Sequence, residues 1–459
     1  MNVSFFQELL GSIGERGRKL LDLTGGQEPE GSLEALSRAL LSSRGEASGI
    51  AIASEILSAY KGLDEAGKLA FFRFMARELV PVQGPVEAAA SAYLDNPGPE
   101  TMARLAASVD SPRQEYFRRL NMAQGATHGI VSMRSDLLHL LGHYPELVPV
   151  DRDLMHLLSS WFNRGFLVLR RIDWSTPASI LEKIIQYEAV HEIRGWDDLR
   201  RRLDPRDRRC YGFFHPSLVD EPLIFVEVAL TQDIPESIRD LLIEREDGDG
   251  GPDAPTTAVF YSISNCQEGL RGISFGSFLI KQVAEDLSRE IPSVRTFVTL
   301  SPVPRFAGWL ARMRADGESS GLSPQALATL KALDDIGWAA HADQCEALEH
   351  ILLPLAAAYL LKAKTRGGSP VDPVARFHLG NGARLERLNW LGDRSPKAMR
   401  QSHGLMVNYL YDLKDIEKNH EAYVNEGAVA SSRPVRALLK ASEGTAAITA
   451  GGDLTAADA

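Results

Sequence analysis

The sequence predicts an α+β protein in which an all-helical N-terminal domain, residues 1–165, precedes an α/β domain, residues 166–429. Three observations support this prediction. The first part of the chain carries apolar residues at helical spacing. After Asn163, apolar runs rich in β-branched and aromatic residues alternate with helical segments. From about residue 430 the chain is rich in Ala, Gly, Ser and Thr, so residues 430–459 are expected to form a mobile tail with little to pack.

Apolar stripes define the helices of the N-terminal domain. One stripe contains Phe5, Phe6, Leu9, Leu10 and Ile13, and a later one contains Leu69, Phe71, Phe72, Phe74 and Met75. Breaks at Pro97 and Pro112 separate further helical stretches. The motif HLLGH places His139 and His143 one helical turn apart, but the glutamate of the HExxH zinc pattern is missing. A structural or surface role is favoured over a metal site, and no metal is expected.

Strand-like runs define the second domain. The predicted strands are FLVLRRIDW (166–174), CYGFFHP, LIFVEVALTQD (223–233), TTAVFYSISNC (256–266), VRTFVTLSP (294–302), RFHLGN and RLERLNWL. The predicted helices are SILEKIIQYEAV (179–190), several within 305–364, and SPKAMRQSHGLMVNYLYDL near the end of the domain. Strands that alternate with helices predict an α/β sheet.

The composition excludes several classes of protein. A formal net charge of −11 argues against a bulk nucleic-acid binder, because neutralising phosphates requires a basic face. The three cysteines, Cys210, Cys266 and Cys345, are too widely spaced for a disulfide framework or a thiolate metal site. No apolar run reaches the roughly 18–20 residues that cross a bilayer. The N-terminus lacks the pattern of a signal or import peptide, so a cytoplasmic location and no membrane partner are expected.

A glycine-rich turn leads into an amphipathic helix in GLRGISFGSFLIKQVAEDLSREIP, residues 269–292. Glycine lets backbone N–H groups approach a ligand closely, and the start of a helix favours an anion. The spacing matches neither GxGxxG nor the Walker loop, so the turn alone favours a structural role. However, Arg-x-x-Ser-x-Gly after a strand resembles the loop that binds the coenzyme A pyrophosphate in GNAT-type acetyltransferases. Ser274 stands where that loop has glycine.

The next predicted strand, VRTFVTL, ends at Ser301, and Pro302 and Pro304 follow. Prolines end the strand and fix a turn, which leaves Ser301 at the end of the strand, just before the turn. Ser301 either caps the following helix or presents its hydroxyl to an acyl group.

Longer segments resemble the malonyl-CoA decarboxylase family. They are YSISNCQEGLRGISFGSFLIKQV, FVTLSPVPRFAGWL, RRCYGFFHPSLVDEPLIFVEVALTQDIP, PVARFHLGNGARLERLNWLGD and SHGLMVNYLYDL. The resemblance runs from about His128 to Tyr411, is weaker before it and is absent from the tail. It implies a helical domain that drives homo-oligomerisation, a GNAT-like catalytic domain, and cleavage of malonyl-CoA to acetyl-CoA and CO2 without a metal or organic cofactor.

The resemblance also assigns site residues. The catalytic candidates are Ser301 of the Leu-Ser-Pro motif, His378 of the Phe-His-Leu motif and Tyr411 of the Asn-Tyr-x-Tyr motif. The substrate-binding loop comprises Arg271, Gly272, Ile273, Ser274, Phe275, Gly276 and Ser277. Some family members carry an acidic residue where Ser274 stands and glycine where Arg305 stands, so a role for that acidic group cannot apply here.

These residue types suit the chemistry. Loss of CO2 from a malonyl thioester leaves an enolate that must be stabilised and protonated, and histidine titrates near neutrality. Ser301 and His378 are therefore expected to hydrogen-bond each other and the malonyl carboxylate, with His378 the favoured proton donor. Without the resemblance, His378 would be interpreted as a core histidine on a strand.

Two other functions compete with decarboxylation. A GNAT-type acyltransferase would use the same loop to pass an acyl group to an acceptor. A noncatalytic CoA-thioester sensor would bind the ligand without turnover.

Two polar segments admit both a binding and a structural interpretation. The basic run LRRRLDPRDRRC could attract an anionic ligand or form a solvated face. His215 and Glu221 in HPSLVDEP fit a turn between strands without catalysis.

Overall fold

The computed structural model describes residues 32–42, 45–242, 254–273, 279–335 and 337–445. The chain divides into two compact units. The first comprises Met1–Val168, Phe213–Leu223 and Asn265–Phe275, and the second comprises Leu169–Gly212, Ile224–Ser264 and Gly276–Ala459. The first unit therefore takes two short segments from the part of the chain that was predicted to be α/β.

The described part of the first unit is built from helices. They are α1 (Leu33–Leu41), α2 (Glu46–Lys61), α3 (Glu65–Glu78), α4 (Gln83–Asp95), α5 (Pro99–Val109), α6 (Pro112–Leu120), α7 (Ala126–Leu140) and α8 (Val148–Trp161). Asp64 caps α3 by accepting from the Gly67 N–H at 2.8 Å, and Ser111 caps α6. The aromatic side chains of Phe71, Phe72 and Phe117 are buried in the core of this unit.

The strands form one sheet. They are β1 (Val168–Ile172), β2 (Arg208–Phe214), β3 (Pro222–Thr231), β4 (Thr257–Asn265), β5 (Thr296–Thr299), β6 (Ser301–Pro302), β7 (Arg384–Asn389) and β8 (Met406–Leu410). Their order is β1-β2-β3-β4-β5-β8-β6, and β7 also pairs with β8. β4 and β5 are parallel neighbours, and β8 is antiparallel to β5, β6 and β7.

The helices of the second unit lie between and after these strands. They are α9 (Ala178–Tyr187), α10 (Trp196–Leu203), α11 (Arg239–Leu242), α12 (Leu279–Glu290), α13 (Phe306–Asp316), α14 (Pro324–Leu330), α15 (Ala342–Lys362), α16 (Pro373–Gly380), α17 (Pro396–Ser402), α18 (Ile416–Glu426) and α19 (Arg433–Thr445). A core cluster that includes Val259, Val298 and Met406 packs residues of β4, β5 and β8 together. The predicted α+β class is confirmed.

Three local predictions are wrong. RFHLGN is not a strand, since residues 376–380 lie in α16. The predicted late helix is split: α17 ends at Ser402, His403 and Gly404 adopt positive φ, and strand β8 follows. The tail is not without packing over its first half, because α19 packs against α15 and β7 with Val435 fully buried. Residues 446–459 lie outside the described residues.

No helix within the described ranges is long and apolar enough to cross a membrane.

Candidate active site

Ser301 lies just after β5, where the chain stops pairing with β4. The β4–β5 register runs from Thr257↔Thr296 to Phe260↔Thr299, and the Leu300 N–H then donates to the Phe260 carbonyl at 3.0 Å. Beyond this point the chain pairs with β8 instead, through Ser301↔Val407. Ser301 thus sits at the point where the two parallel strands part, and its side chain is buried.

His378 comes from the last turn of α16. Asp372 fixes the start of this helix, since its Oδ1 accepts from the N–H groups of Val374 at 2.9 Å and Ala375 at 3.0 Å. Tyr359 donates its hydroxyl to the other carboxylate oxygen of Asp372 at 3.3 Å. These bonds fix the helix that carries His378.

Tyr411 follows β8 directly. Its backbone N–H donates to the Phe297 carbonyl on β5 at 2.8 Å, so the residue is tied to the strand that leads to Ser301. The ring packs edge-on against Phe260 of β4, with 6.5 Å between the ring centroids.

The three predicted catalytic residues form a hydrogen-bonded row. Ser301 Oγ lies 3.1 Å from His378 Nε2, and Tyr411 Oη lies 2.8 Å from His378 Nδ1. Ser301, His378 and Tyr411 are 6%, 3% and 1% exposed. The Tyr409 ring stacks on the imidazole, with 4.6 Å between centroids and 24° between planes. Both imidazole nitrogens therefore have a hydroxyl partner in a buried site.

Burial sets the charge state of the row. It lowers the pKa of His378 to about 3, so the imidazole is neutral at physiological pH. It also raises the pKa of the Tyr411 hydroxyl well above its usual value, so the tyrosine keeps its proton. A neutral imidazole has one N–H donor and one acceptor nitrogen. The hydrogen bonds of the row can therefore all point in only one of two directions at a time, and a proton moves along that direction.

Only part of the predicted substrate-binding loop is described. Arg271, Gly272 and Ile273 belong to the first unit, where Arg271 is exposed, Ile273 is buried and Gly272 has φ +83°. Ser274, Phe275, Gly276 and Ser277 lie outside the described residues.

Arg134 of α7 holds the start of this loop. Its guanidinium Nη1 donates to the carbonyl oxygens of Gly269 at 2.8 Å and Arg271 at 2.9 Å, and its Nε donates to Asp151 at 2.8 Å. Gly269 has no room for a side chain, since an added Cβ would lie 1.9 Å from the Val131 carbonyl oxygen. The backbone before the loop is therefore pressed onto α7 and tied there by a buried arginine.

The basic run has acidic partners inside the second unit. The buried Arg202 donates to the buried Glu227 at 3.1 Å, Arg208 pairs with Asp207 at 2.7 Å, and Arg209 pairs with Glu290 at 2.9 Å. These pairs support a structural interpretation of the three arginines.

The remaining polar candidates also have structural partners. The His215 ring packs on Phe162 at 4.7 Å, and its Nδ1 accepts from the Ser217 N–H at 3.1 Å, as expected for a turn. His139 pairs with Glu268 at 3.1 Å. The described residues contain no group of three or more His, Cys, Asp or Glu side chains placed to hold a metal ion.

Sequence reasoning missed Arg134 and Thr299. Thr299 accepts a hydrogen bond from Ser301 at 2.9 Å. Arg134 lies in HGIVSMRSDLL, residues 128–138, where the family resemblance begins, and an arginine on a helix with apolar neighbours was the available signal. Nothing in the sequence marks Thr299.

The fold and the row define a class: an α+β protein with a buried serine, histidine and tyrosine in one hydrogen-bonded row. Residues 165–449 match the family model for the malonyl-CoA decarboxylase C-terminal domain, and residues 81–162 match that for the N-terminal domain. The chain belongs to the malonyl-CoA decarboxylase family.

Named relatives agree with this assignment. The mitochondrial malonyl-CoA decarboxylase of Anser anser anser is 37% identical over 357 residues, which cover 72% of this chain and 70% of that protein. That of Rattus norvegicus is 36% identical over 346 residues, with 70% of each chain covered.

Solved structures agree as well. Malonyl-CoA decarboxylase from Rhodopseudomonas palustris superposes with a TM-score of 0.85 at 57% identity, covering 88% of this chain and 98% of that one. The enzyme from Agrobacterium vitis gives a TM-score of 0.84 at 56% identity, covering 88% and 99%.

Proposed function

We propose that this chain converts malonyl-CoA to acetyl-CoA and CO2, with Ser301, His378 and Tyr411 as its catalytic residues. The observation that carries the proposal is the unbroken row in which Ser301 and Tyr411 each contact one nitrogen of a buried, neutral His378. Family membership supplies the substrate.

The reaction needs one proton per turnover. The bond between the carboxylate carbon and the α-carbon breaks, its electron pair passes into the thioester enolate, and CO2 leaves. The enolate carbon then takes the proton of His378 Nε2, while Nδ1 takes the Tyr411 proton. This transfer is favourable because an enolate carbon is a far stronger base than a phenolate, even one whose conjugate acid has a raised pKa. Before the next turnover a proton from solvent is added at Nε2 and Nδ1 returns its proton to the Tyr411 phenolate, which restores the starting state.

The burial of the row favours loss of CO2. A carboxylate brought beside Ser301 gives up hydration, and the charge spreads over the enolate as CO2 departs. When substrate binds, the Ser301 hydroxyl turns from Thr299 to the carboxylate and orients it, because a carboxylate accepts only and Ser301 has one proton to donate.

The loop from Arg271 to Ser277 is proposed to bind the pyrophosphate of coenzyme A. The Arg134 contacts to Gly269 and Arg271 support this proposal, since they fix the backbone from which the loop starts. The positive φ of Gly272 supports it too, because it turns the chain tightly at the start of the loop.

We further propose that catalysis needs no cofactor, that the location is cytoplasmic and that the chain is a homo-oligomer without nucleic-acid or membrane partners. The exposed apolar side chains of helices α4 and α5 support self-association: Leu94, Met102 and Val109 are 76%, 46% and 50% exposed. The low cysteine content, three in 459 residues, fits a reducing compartment.

The test is CO2 release from isotope-labelled malonyl-CoA with no acceptor present. Wild type should release CO2, and Ser301→Ala and His378→Ala should lose about 100-fold or more in rate while still binding malonyl-CoA. The exposed Ser91→Ala and His139→Ala replacements are the matched controls and should retain activity.

Each contrary outcome has a separate meaning. A folded wild type that releases no CO2 would overturn the activity and leave an acyltransferase or a sensor. Undiminished release by both site variants would place the chemistry on other residues.

A further inference from the structure

Thr299 contacts the catalytic row from the side opposite Tyr411. It is the last residue of β5 and is fully buried. Its Oγ1 accepts the Ser301 hydroxyl proton at 2.9 Å. No proposed step so far uses this side chain.

The Thr299 side chain is fixed by a gap in the sheet. Leu410 of β8 pairs with Val298, and Val407 of β8 pairs with Ser301. Both pairs belong to one continuous antiparallel register. Between these pairs, side chains replace the backbone ladder. Thr299 Oγ1 accepts from the Tyr409 N–H at 3.2 Å, and Asn408 Nδ2 donates to the Thr299 carbonyl at 2.8 Å. The Tyr409 N–H thus holds the Thr299 hydroxyl in place beside Ser301.

Counting protons along the row then fixes the state of His378. Ser301 has one hydroxyl proton and gives it to Thr299, so toward His378 it can only accept. Nε2 must therefore carry a hydrogen. A neutral imidazole with its hydrogen on Nε2 has a bare Nδ1, which accepts the Tyr411 hydroxyl.

We infer that Thr299 is a positioning residue that sets the direction of the hydrogen-bonded row, Tyr411 to His378 to Ser301 to Thr299. Because Thr299 accepts the serine proton, His378 remains a donor at Nε2. Ser301 therefore has no bare imidazole nitrogen beside it to act as a general base. The inference rests on the proposed decarboxylation and deepens it, because the direction decides the type of reaction.

The opposite direction would favour different chemistry. With Nε2 bare, His378 would accept the Ser301 proton, and the pair would be the activated nucleophile of an acyl-transfer enzyme. With Nε2 protonated, the same two side chains present a proton to an enolate carbon. A single threonine hydroxyl thus biases one serine–histidine pair away from acyl transfer and toward protonation.

The direct test is ¹⁵N NMR of histidine-labelled protein at neutral pH, in which protonated and bare ring nitrogens have well-separated shifts. His378→Gln identifies the His378 signals among the 11 histidines. Wild type should show a neutral ring with hydrogen on Nε2. Thr299→Val removes the acceptor at nearly constant volume and should move the hydrogen to Nδ1. Thr299→Ser keeps the hydroxyl and should restore the wild-type signals.

Kinetics provide the second readout. Thr299→Val should lower kcat about 10- to 100-fold with the KM for malonyl-CoA within about twofold, and Thr299→Ser should recover most of the loss. An effect on folding alone would change the amount of active enzyme and leave the ring tautomer as in wild type.

The outcomes separate this inference from the proposed function. Hydrogen on Nδ1 in wild type, or an unchanged tautomer in folded Thr299→Val, overturns the role of Thr299 whatever the activity. If Thr299→Val does not fold, the tautomer of His378 in wild type and in Thr299→Ser still tests the role of Thr299. Absence of CO2 release from a wild type that has Nε2 protonated overturns decarboxylation and leaves the proton order standing.

Discussion

At the residue scale, burial rather than a neighbouring charge sets the pKa of His378. Burial is the only cause of its lowered pKa, and its two nitrogens each meet a hydroxyl. A buried imidazolium would cost desolvation energy that no carboxylate in the row repays. The residue therefore remains neutral at physiological pH, which suits the proposed role of donating one proton while taking up another.

Replacement of Tyr411 by Phe tests the other end of the row. It removes the partner of Nδ1, so kcat should fall about 10-fold or more while KM changes little. Steady-state kinetics on malonyl-CoA measure both constants. Tyr60→Phe is the control, because it removes a hydroxyl that donates to Asp136 at 2.9 Å in the first unit. Equal kcat for Tyr411→Phe and wild type would reduce Tyr411 to a packing role.

The sequence predicts Ser301, His378 and Tyr411 as site residues through their motifs, but it could not indicate Thr299. A threonine at the end of a β-strand is ordinary, since β-branched residues favour strands. Its role depends on a gap in the β5–β8 ladder that brings Tyr409 to its hydroxyl, and that gap arises only when distant segments pair. Local pattern carries no information on such a contact.

At the element scale, the two wrong predictions near the site have physical causes. RFHLGN was interpreted as a strand from its apolar residues, yet Asp372 and Pro373 just before it are the cap and first-turn residue of a helix. In the predicted late helix, His403 and Gly404 provide the left-handed stop, after which MVNYL has the composition of a strand. Both signals were present in the sequence and were outweighed by apolar periodicity.

Replacement of Gly269 by Ala tests the close contact between α7 and the start of the proposed pyrophosphate loop. The new methyl group would lie 1.9 Å from the Val131 carbonyl oxygen, so the backbone must move away from α7. That movement strains the two carbonyl contacts of Arg134. We expect KM for malonyl-CoA to rise about 10-fold, with a smaller effect on kcat.

Gly49→Ala is the matched control for this change, since an added Cβ at that helical position meets nothing within 4 Å. Its KM should equal that of wild type. An unchanged KM for Gly269→Ala, in folded protein, would separate the loop from substrate binding.

At the scale of the whole molecule, the order of helical and α/β parts was predictable because periodicity averages over many residues. The assignment of short segments to units was not. Residues 213–223 and 265–275 continue β2 and β4 in sequence but join the helical unit, through contacts such as His215 on Phe162 and Arg134 on Gly269. Tertiary contacts of single side chains decide such boundaries.

The stability of the whole molecule should depend on the proton state of His378. Its pKa is about 3 in the folded protein and close to 6.5 when unfolded, so between these values the unfolded state binds more protons. The contribution of His378 is therefore fully present above pH 6.5 and is lost as the pH falls toward 3. At pH 5 the loss should be about 2 kcal/mol relative to pH 8, from 1.5 pH units at 1.36 kcal/mol each.

Urea unfolding at pH 8 and pH 5 measures this loss, and comparison with His378→Gln isolates it, because the other titrating groups cancel in the difference. Wild type should lose about 2 kcal/mol more than the variant between the two pH values. His139→Gln, at an exposed position, should follow wild type. Equal losses in wild type and His378→Gln would mean that the imidazole takes up a proton in the folded state as readily as in the unfolded chain. A site with that property would not keep His378 neutral at pH 5, and burial would then not set the charge state of the row.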